Sequence, residues 1–142
     1  MQALVIVAHG SRREASNQEI RALAQQVQQL GQHPYAWVSC AFLELAEPSI
    51  PDGIQQAIEQ GASNITIMPF FLSAGRHTVE DVPALVRAKQ AEYPQIPMRL
   101  APYLGVSPLM PMLIANAAQA ACQQCGETCR YPDCLHPETI TE

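Results

Sequence analysis

The sequence predicts an α/β fold: a single domain in which a four-stranded parallel sheet is flanked by helices on both faces. Short segments rich in Val, Ile and Phe alternate along the chain with longer segments of helical period, and such alternation is typical of repeated β–α units. Right-handed connections between parallel strands place the helices on the two faces of the sheet. The 142 residues are enough for one domain with a sizeable apolar core.

The first β–α unit is predicted from residues 2–8 and 16–30. Residues 2–8 form an almost continuous apolar run of strand length, which is typical of a strand buried on both faces. Residues 16–30 repeat their apolar side chains at three- and four-residue steps, as an amphipathic helix does. Because Gly31 is a suitable C-cap, we expect this helix to end there.

The second β–α unit is predicted from residues 36–43 and from the segment after Pro48. Residues 36–43 are again apolar and of strand length. Ser49 is a good N-cap, and Pro51 suits the first turn of a helix. We therefore expect a second helix that begins at this point and runs to about Gly61.

The remaining elements are two strands and two helices in the same alternation. Apolar runs predict the strands near residues 64–70 and 98–101. Helical periods predict the helices near 79–92 and 107–121. The four predicted strands together make the parallel sheet.

Composition argues against several classes of function. The net charge of −5 and the lack of any basic run argue against nucleic-acid binding, which needs a basic surface. No stretch approaches the roughly 18 apolar residues that span a bilayer. The N-terminus has no basic region typical of a secretion signal. These observations predict a soluble cytoplasmic protein that binds neither nucleic acid nor membrane.

The five cysteines are distributed unevenly along the chain. Cys40 lies alone in an apolar run and is predicted to be an inert core residue. In a reducing compartment, the remaining cluster favours metal or redox chemistry, and four closely spaced thiolates could bind zinc or an iron–sulfur cluster. His136 could replace one thiolate, and a redox-labile tail without metal is the alternative. We therefore divide the chain into an α/β domain, 1–121, and a Cys-rich tail, 122–142. The clustered cysteines are Cys122, Cys125, Cys129 and Cys134.

Two histidines follow predicted strands. His9 comes directly after the first strand and His77 comes shortly after the third. Ligands of open α/β sheets collect outside the carboxyl ends of the strands, where the strand order reverses. Two neutral imidazoles at this edge suit Fe, Co, Ni or Zn, so both residues are predicted metal ligands. The alternative for each is a histidine that a backbone carbonyl satisfies. Gly10 allows close backbone approach, and Ser11 can cap the next turn.

Two carboxylates, Glu44 and Glu47, follow the second strand. Strand alternation disfavours the same orientation for both side chains. Glu47 lies nearer the start of the second helix and is the better candidate for the cavity. Its alternative role is to compensate the positive end of the helix dipole.

A loop after the third strand combines an apolar residue, small residues and a cation. Backbone N–H groups and the guanidinium of such a loop can bind an anionic ligand. Arg12 and Arg13 add positive charge at the same edge, with plain surface solvation as the alternative. The loop consists of Leu72, Ser73, Ala74, Gly75 and Arg76.

The chain resembles the short form of the sirohydrochlorin chelatases, the CbiX/SirB type of class II tetrapyrrole chelatase. The similarity lies in LVIVAHGSR at residues 4–12, FLELAEP at 42–48, PFFLSAGRHTVEDVP at 69–83 and APYLG at 101–105. These stretches cover the chain from residue 1 to about 121. The Cys-rich tail lies outside the shared core.

The resemblance implies a lyase-type enzyme that inserts Co²⁺ or Fe²⁺ into sirohydrochlorin, an octacarboxylate tetrapyrrole, for cobalamin or sirohaem biosynthesis. It implies no organic cofactor, since the metal is a substrate. By this resemblance, His9 and His77 are the catalytic residues: His9 is a metal ligand and proton acceptor, and His77 is the second ligand. The same resemblance implies that Glu47 and residues 72–76 contact the macrocycle. Longer chelatases of this group contain two such domains that face one cleft, so we expect this chain to form a homodimer whose paired sheet edges enclose the macrocycle.

The residues agree with this chemistry, although alternatives stay open. Metal insertion replaces two pyrrole N–H protons with a cation, and neutral histidine can hold a metal loosely and accept protons near neutral pH. One alternative is a metal-binding or delivery protein that uses the Cys-rich tail. Another is a phosphohydrolase, but Ala8 stands where such enzymes carry an arginine. Imidazole and carboxylate ligands suit Co²⁺, Fe²⁺ and Ni²⁺ alike.

Overall fold

A computed structural model describes residues 1–121, except for the side chains of His77 and Thr78. Residues Met1–Ser107 form one compact unit, and a second unit begins at Pro108. The sequence analysis placed the division after residue 121, and that boundary stays a prediction.

The described elements follow the predicted β–α alternation. The strands are β1 (Gln2–Ala8), β2 (Tyr35–Phe42), β3 (Asn64–Pro69) and β4 (Met98–Leu100). The α-helices are α1 (Glu14–Leu30), α2 (Ile50–Glu59), α3 (Val82–Glu92) and α4 (Met110–Ala120). A π-helical turn covers His77–Asp81, and a short 3₁₀ helix covers Leu104–Val106.

The sheet has four parallel strands in the order β2-β1-β3-β4, which confirms the predicted fold class. Strand β1 pairs with β2 on one side and with β3 on the other, so it is a central strand. Val5 illustrates the register, because it lies opposite Ser39 of β2 and Ile67 of β3. The strand order reverses between β1 and β3.

Helices cover both faces of the sheet, as predicted. On one face α1 packs against β1 and β2, with Ala24 of the helix next to Leu4 and Cys40 in one apolar cluster. On the other face α2 and α3 pack against β1 and β3 through the second cluster, which contains Ile54 and Val86. Cys40 is buried, as predicted, and burial raises the pKa of its thiol. Since the thiolate is the reactive form, a raised pKa makes the thiol less reactive.

The caps of the first two helices agree with the sequence signals. Gly31 is the C-cap of α1. Ser49 is the N-cap of α2, and the Asp52 N–H donates a 3.2 Å hydrogen bond to its Oγ. Pro51 lies in the first turn of the same helix.

The third helix begins differently from the prediction. We expected one α-helix from residue 79, whereas a π-helical turn precedes α3. Pro83 supplies the physical reason. It has no N–H to donate to the carbonyl of Val79, so a regular α-helical turn cannot continue through this point.

Within residues 1–121, no helix has both the length and the apolar character that a membrane-spanning helix needs.

Candidate functional site

Three sequence-predicted site segments meet at the carboxyl edge of the sheet. His9 directly follows β1, and Glu44 lies two residues after the end of β2. His77 is the first residue of the π-helical turn that comes after β3. Because β1, β2 and β3 are parallel neighbours, their carboxyl ends lie at one edge. The backbone therefore places His9 and His77 after the two strands that flank the reversal of strand order, where ligands of open α/β sheets bind.

His9 and Glu44 contact each other directly. The Nε2 atom of His9 lies 3.3 Å from Oε1 of Glu44, and both side chains are about half exposed. The ring of Phe71 approaches the imidazole edge-on, with ring centroids 6.3 Å apart. The pair therefore combines a base and a carboxylate at a site that solvent can reach.

The pairing of β1 with β2 produces this contact, because it continues past the ends of both strands. The Leu43 N–H donates a 2.9 Å hydrogen bond to the carbonyl of Ala8, and the Glu44 N–H donates a 3.1 Å bond to the carbonyl of His9. Residue 44 is thereby fixed beside residue 9. Sequence reasoning preferred Glu47 as the carboxylate of the cavity, and only the continued register of the two strands could have indicated Glu44.

Gly10 makes the close approach of these two loops possible, as predicted. It has a φ of +93°, and a β-carbon at this position would overlap the carbonyl oxygen of Glu44. The nearest other atoms would be the carbonyl carbon of Glu44 at 2.9 Å and Cβ of Phe42 at 3.4 Å. Only a residue without a side chain fits here.

Asn17 of α1 holds the loop that carries His9. It is 2% exposed. Its Oδ1 accepts a 2.9 Å hydrogen bond from the Ser11 N–H, and its Nδ2 donates a 2.8 Å bond to the Ser11 carbonyl. Ser11 caps the following turn, as predicted, since its Oγ accepts a 3.0 Å hydrogen bond from the Arg13 N–H. Sequence reasoning missed Asn17, which has no motif of its own.

Glu47 occupies a different position from Glu44. Its carbonyl accepts a 3.0 Å hydrogen bond from Arg21, which also makes a 2.6 Å contact with Glu14 and lies over the ring of Phe42. The bond from Arg21 lowers the pKa of Glu14. Glu47 also lines a groove of about 460 Å³ along α2. Its predicted contact with the macrocycle stays a prediction.

The loop after β3 is exposed from Leu72 to Arg76. Arg76 lies 3.9 Å from Glu80, and both side chains are largely exposed. The base of the loop is tied to the segment after β4, because the Gly105 N–H donates a 2.9 Å hydrogen bond to the Phe71 carbonyl. A β-carbon on Gly105 would overlap the carbonyl oxygen of Leu72, so the two segments pack without space between them.

Two cavities border the His9–Glu44 pair. His9, Gly10 and Ser11 line a cavity of about 280 Å³ on the α1 side, together with Phe42 and Phe70. Glu44 lines another of about 380 Å³ on the α3 side, with Asp81 and Leu85. The contacting side chains of His9 and Glu44 therefore lie between the two cavities, each lining one of them.

The described side chains do not form a complete metal site by themselves. No group of three or more His, Cys, Asp or Glu side chains suited to a metal ion occurs among them, and the imidazole of His77 lies outside that set. Among the described side chains at this edge, His9 and Glu44 form a directly contacting pair of possible donors. The predicted tail site, Cys122, Cys125, Cys129 and Cys134, lies outside the described residues, so it stays a prediction.

These features define an α/β protein with a histidine–carboxylate site at the carboxyl edge of a parallel sheet. The family model CbiX matches residues 3–121. The chain belongs to the CbiX family.

Three comparisons illustrate the similarity. The sirohydrochlorin cobaltochelatase of Methanocaldococcus jannaschii is 42% identical over 86 residues, which cover 61% of this chain and 59% of the relative. The chloroplastic sirohydrochlorin ferrochelatase of Arabidopsis thaliana is 35% identical over 123 residues, 86% of this chain and 52% of the relative. The crystal structure of the chelatase SirB from Bacillus subtilis subspecies spizizenii in complex with cobalt has a TM-score of 0.71 and 27% identity, and the match covers 84% of this chain and 51% of SirB.

The chain spans little more than half the length of such relatives. The matched segments cover 52% to 59% of the first curated relatives.

Replacing Asn17 by Ala is expected to lower the free energy of unfolding by about 1–3 kcal/mol, because the N–H and carbonyl of Ser11 lose their partners. Urea denaturation followed by circular dichroism measures the change. Gln18→Ala is the matched control, since the exposed side chain of Gln18 donates a 3.2 Å hydrogen bond to the exposed Glu14. This control should change the value by less than about 0.5 kcal/mol. Equal losses in the two variants would show that Asn17 does not hold the loop.

Proposed function

We propose that the protein is a chelatase that inserts Co²⁺ or Fe²⁺ into sirohydrochlorin. The observation that carries the proposal is the contact between His9 and Glu44 at the strand reversal of a chain that belongs to the CbiX family. Relatives that bear the names sirohydrochlorin cobaltochelatase and ferrochelatase support the choice of substrates.

The reaction needs a base near the macrocycle nitrogens. Each turnover places one divalent cation on these nitrogens and releases two N–H protons. His9 accepts these two protons one after the other, and each then passes from its imidazole to the carboxylate of Glu44, whose Oε1 lies 3.3 Å from Nε2. Because both side chains are about half exposed, the proton can then pass to water. A neutral imidazole and a carboxylate are suited to such transfers near neutral pH.

The cation is a substrate, so the site must bind it and release it. Imidazole nitrogens are borderline ligands that suit Co²⁺ and Fe²⁺, whereas thiolates would favour permanent binding. His9 and His77 are the proposed ligands, because they follow the neighbouring strands β1 and β3. Once the cation has moved to the macrocycle, the same imidazole of His9 can accept a proton.

The macrocycle requires both apolar and cationic contacts, because its ring is flat and apolar and its edge carries carboxylates. The exposed loop from Leu72 to Arg76 offers both kinds of contact. The ion pair of Arg76 with Glu80 is long and exposed, and such pairs are weak, so Arg76 can turn to a substrate carboxylate. We propose that this loop and Glu47 contact the substrate.

A second copy of the chain completes the substrate cleft in this proposal. The match to SirB covers 84% of this chain but 51% of SirB, so SirB has room for a second domain of similar size. We propose that this protein forms a homodimer whose two sheet edges face one macrocycle. The cytoplasmic location expected from the sequence stays a prediction.

Replacing His9 by Ala is expected to reduce metal insertion by about 100-fold or more, because the variant lacks both a ligand and the base. The measurement is the absorbance change of sirohydrochlorin, incubated anaerobically with Co²⁺ or Fe²⁺. His33→Ala is the matched control. Its Nε2 lies 2.6 Å from the carbonyl oxygen of Val27, and its Nδ1 accepts a 3.2 Å hydrogen bond from the Tyr35 N–H. His33 comes just before the amino end of β2, whereas the proposed site lies at the carboxyl ends of the strands.

His33→Ala should retain the wild-type rate within a factor of about 3, provided that its circular dichroism spectrum is unchanged. A His9→Ala variant as active as the wild type would remove the proposed mechanism. A wild-type protein inactive with both cations would remove the proposed function.

Sedimentation velocity of the full chain at micromolar concentration should give twice the mass of one chain. The physical reason is that the sheet edge of one chain can cover only one face of the macrocycle, so a second chain is needed to cover the other face. A monomer with full chelatase activity under the same conditions would contradict the dimer proposal and leave the chelatase proposal intact.

A further inference from the structure

We propose that Gly10 is a positioning residue for metal insertion, because it holds the carboxylate of Glu44 against His9. The inference rests on the proposed function. It assigns to Gly10 a role in the reaction through another residue, since the glycine has no side chain with which to touch the substrate.

The backbone geometry at Gly10 links the two loops of the site. Ladder hydrogen bonds run from the Leu43 N–H to Ala8 and from the Glu44 N–H to His9, at 2.9 and 3.1 Å. In the residue that follows His9, a β-carbon added to Gly10 would overlap the carbonyl oxygen of Glu44. The backbone of Glu44 therefore lies in the space that any side chain at residue 10 would fill.

The conformation of Leu45 shows that this loop is held by its surroundings. Leu45 has a φ of +64°, a left-handed conformation that is rare and unfavourable for a bulky residue. Its side chain is 55% exposed, so burial of that side chain does not fix the conformation. On one side of Leu45 the loop is held by the contacts of Glu44 with His9 and Gly10. On the other side it is held by the hydrogen bond from the Phe42 N–H to the Pro48 carbonyl.

A side chain at residue 10 would separate the catalytic pair. The overlap with the Glu44 carbonyl can be relieved only by moving one loop by about 1 Å or more, and a shift of that size can cost a catalytic group about 100-fold in rate. Oε1 of Glu44 is 3.3 Å from Nε2 of His9, so the same shift breaks the contact. The proton that His9 accepts would then have no carboxylate beside it.

The first test compares Gly10→Ala with Gly61→Ala. Gly61 has nearly the same φ, +91°, but a β-carbon there would meet nothing within 4 Å, so the control adds the same backbone strain without the overlap. We expect Gly10→Ala to lower kcat by about 10- to 100-fold with little change in KM for sirohydrochlorin. Gly61→Ala should keep the wild-type kcat, and equal kcat values in the two variants would overturn the proposal.

A double-mutant cycle with Glu44→Gln tests whether Gly10 acts through Glu44. If it does, Gly10→Ala should slow the wild type but have almost no further effect in the Glu44→Gln background, since residues that act as one unit are not additive. If the fold-losses in kcat of the two single variants multiply in the double variant, Gly10 affects the reaction by a route other than Glu44.

A spectroscopic measurement separates this inference from the proposed function. The ¹⁵N resonances of the His9 ring report the partner of Nε2 whether or not the protein is a chelatase. In Gly10→Ala these resonances should move to the positions found in Glu44→Ala, which lacks the partner of Nε2, whereas Gly61→Ala should keep the wild-type positions. If the wild type has no chelatase activity, the proposed function fails, and this comparison still shows whether Gly10 holds Glu44 against His9. Unchanged resonances in Gly10→Ala would overturn that positioning role.

A second variant covers the case in which Gly10→Ala does not fold. Gly10→Ala combined with Leu45→Gly lets the loop move away from the new methyl group, because glycine accepts a wider range of φ. This double variant should fold and still show the shifted His9 resonances. Leu45→Gly alone, which keeps Gly10, should show the wild-type resonances, and the same spectrum in both variants would contradict the proposal.

Discussion

The parallel pairing of β1 with both β2 and β3 is the constraint on which the site depends. It makes β1 a central strand and sets the reversal of strand order beside it. The pairing with β2 does not stop at the end of the strands, since two more backbone hydrogen bonds join Ala8 to Leu43 and His9 to Glu44. Backbone bonds between two loops thereby bring an imidazole and a carboxylate together.

The exposure of this pair matters for its chemistry. A buried ion pair would need a full set of compensating bonds and would resist change, whereas His9 and Glu44 are each about half exposed. Exposed pairs are weak, so either side chain can exchange its partner for a cation, a proton or a substrate. The loops themselves are held instead by the close backbone approach at Gly10 and by the side-chain hydrogen bonds of the buried Asn17 to the Ser11 backbone. A firm scaffold with loosely paired side chains suits a protein that must take up a metal ion and give it away.

The sequence was informative wherever the pattern was local and repeated. Apolar runs and helical periods predicted the strands and helices of residues 1–121 to within about three residues, and Ser49 marked the start of α2 through the chemistry of its side chain. The π-helical turn before α3 was missed, because it depends on one N–H that Pro83 lacks. Cys40 was predicted to be buried from its apolar neighbours alone, and it is.

The site was less accessible to sequence reasoning, because its contacts join distant segments. Strand alternation argued against a shared orientation of the two carboxylates, and proximity to the start of α2 favoured Glu47 over Glu44. The alternation ends with β2 at Phe42, and Leu45 in the loop beyond has a left-handed conformation. The register between β1 and β2 decides which carboxylate meets His9, and register is a tertiary property.

The central claim is that His9 and His77 share one loosely held cation at this edge of the sheet. A crystal structure of the full chain with Co²⁺ tests it most directly. The account predicts one ion with an imidazole nitrogen of each histidine within about 2.2 Å and Glu44 beside it. An ion bound by the tail cysteines alone, with the two imidazoles directed into different cavities, would contradict the account.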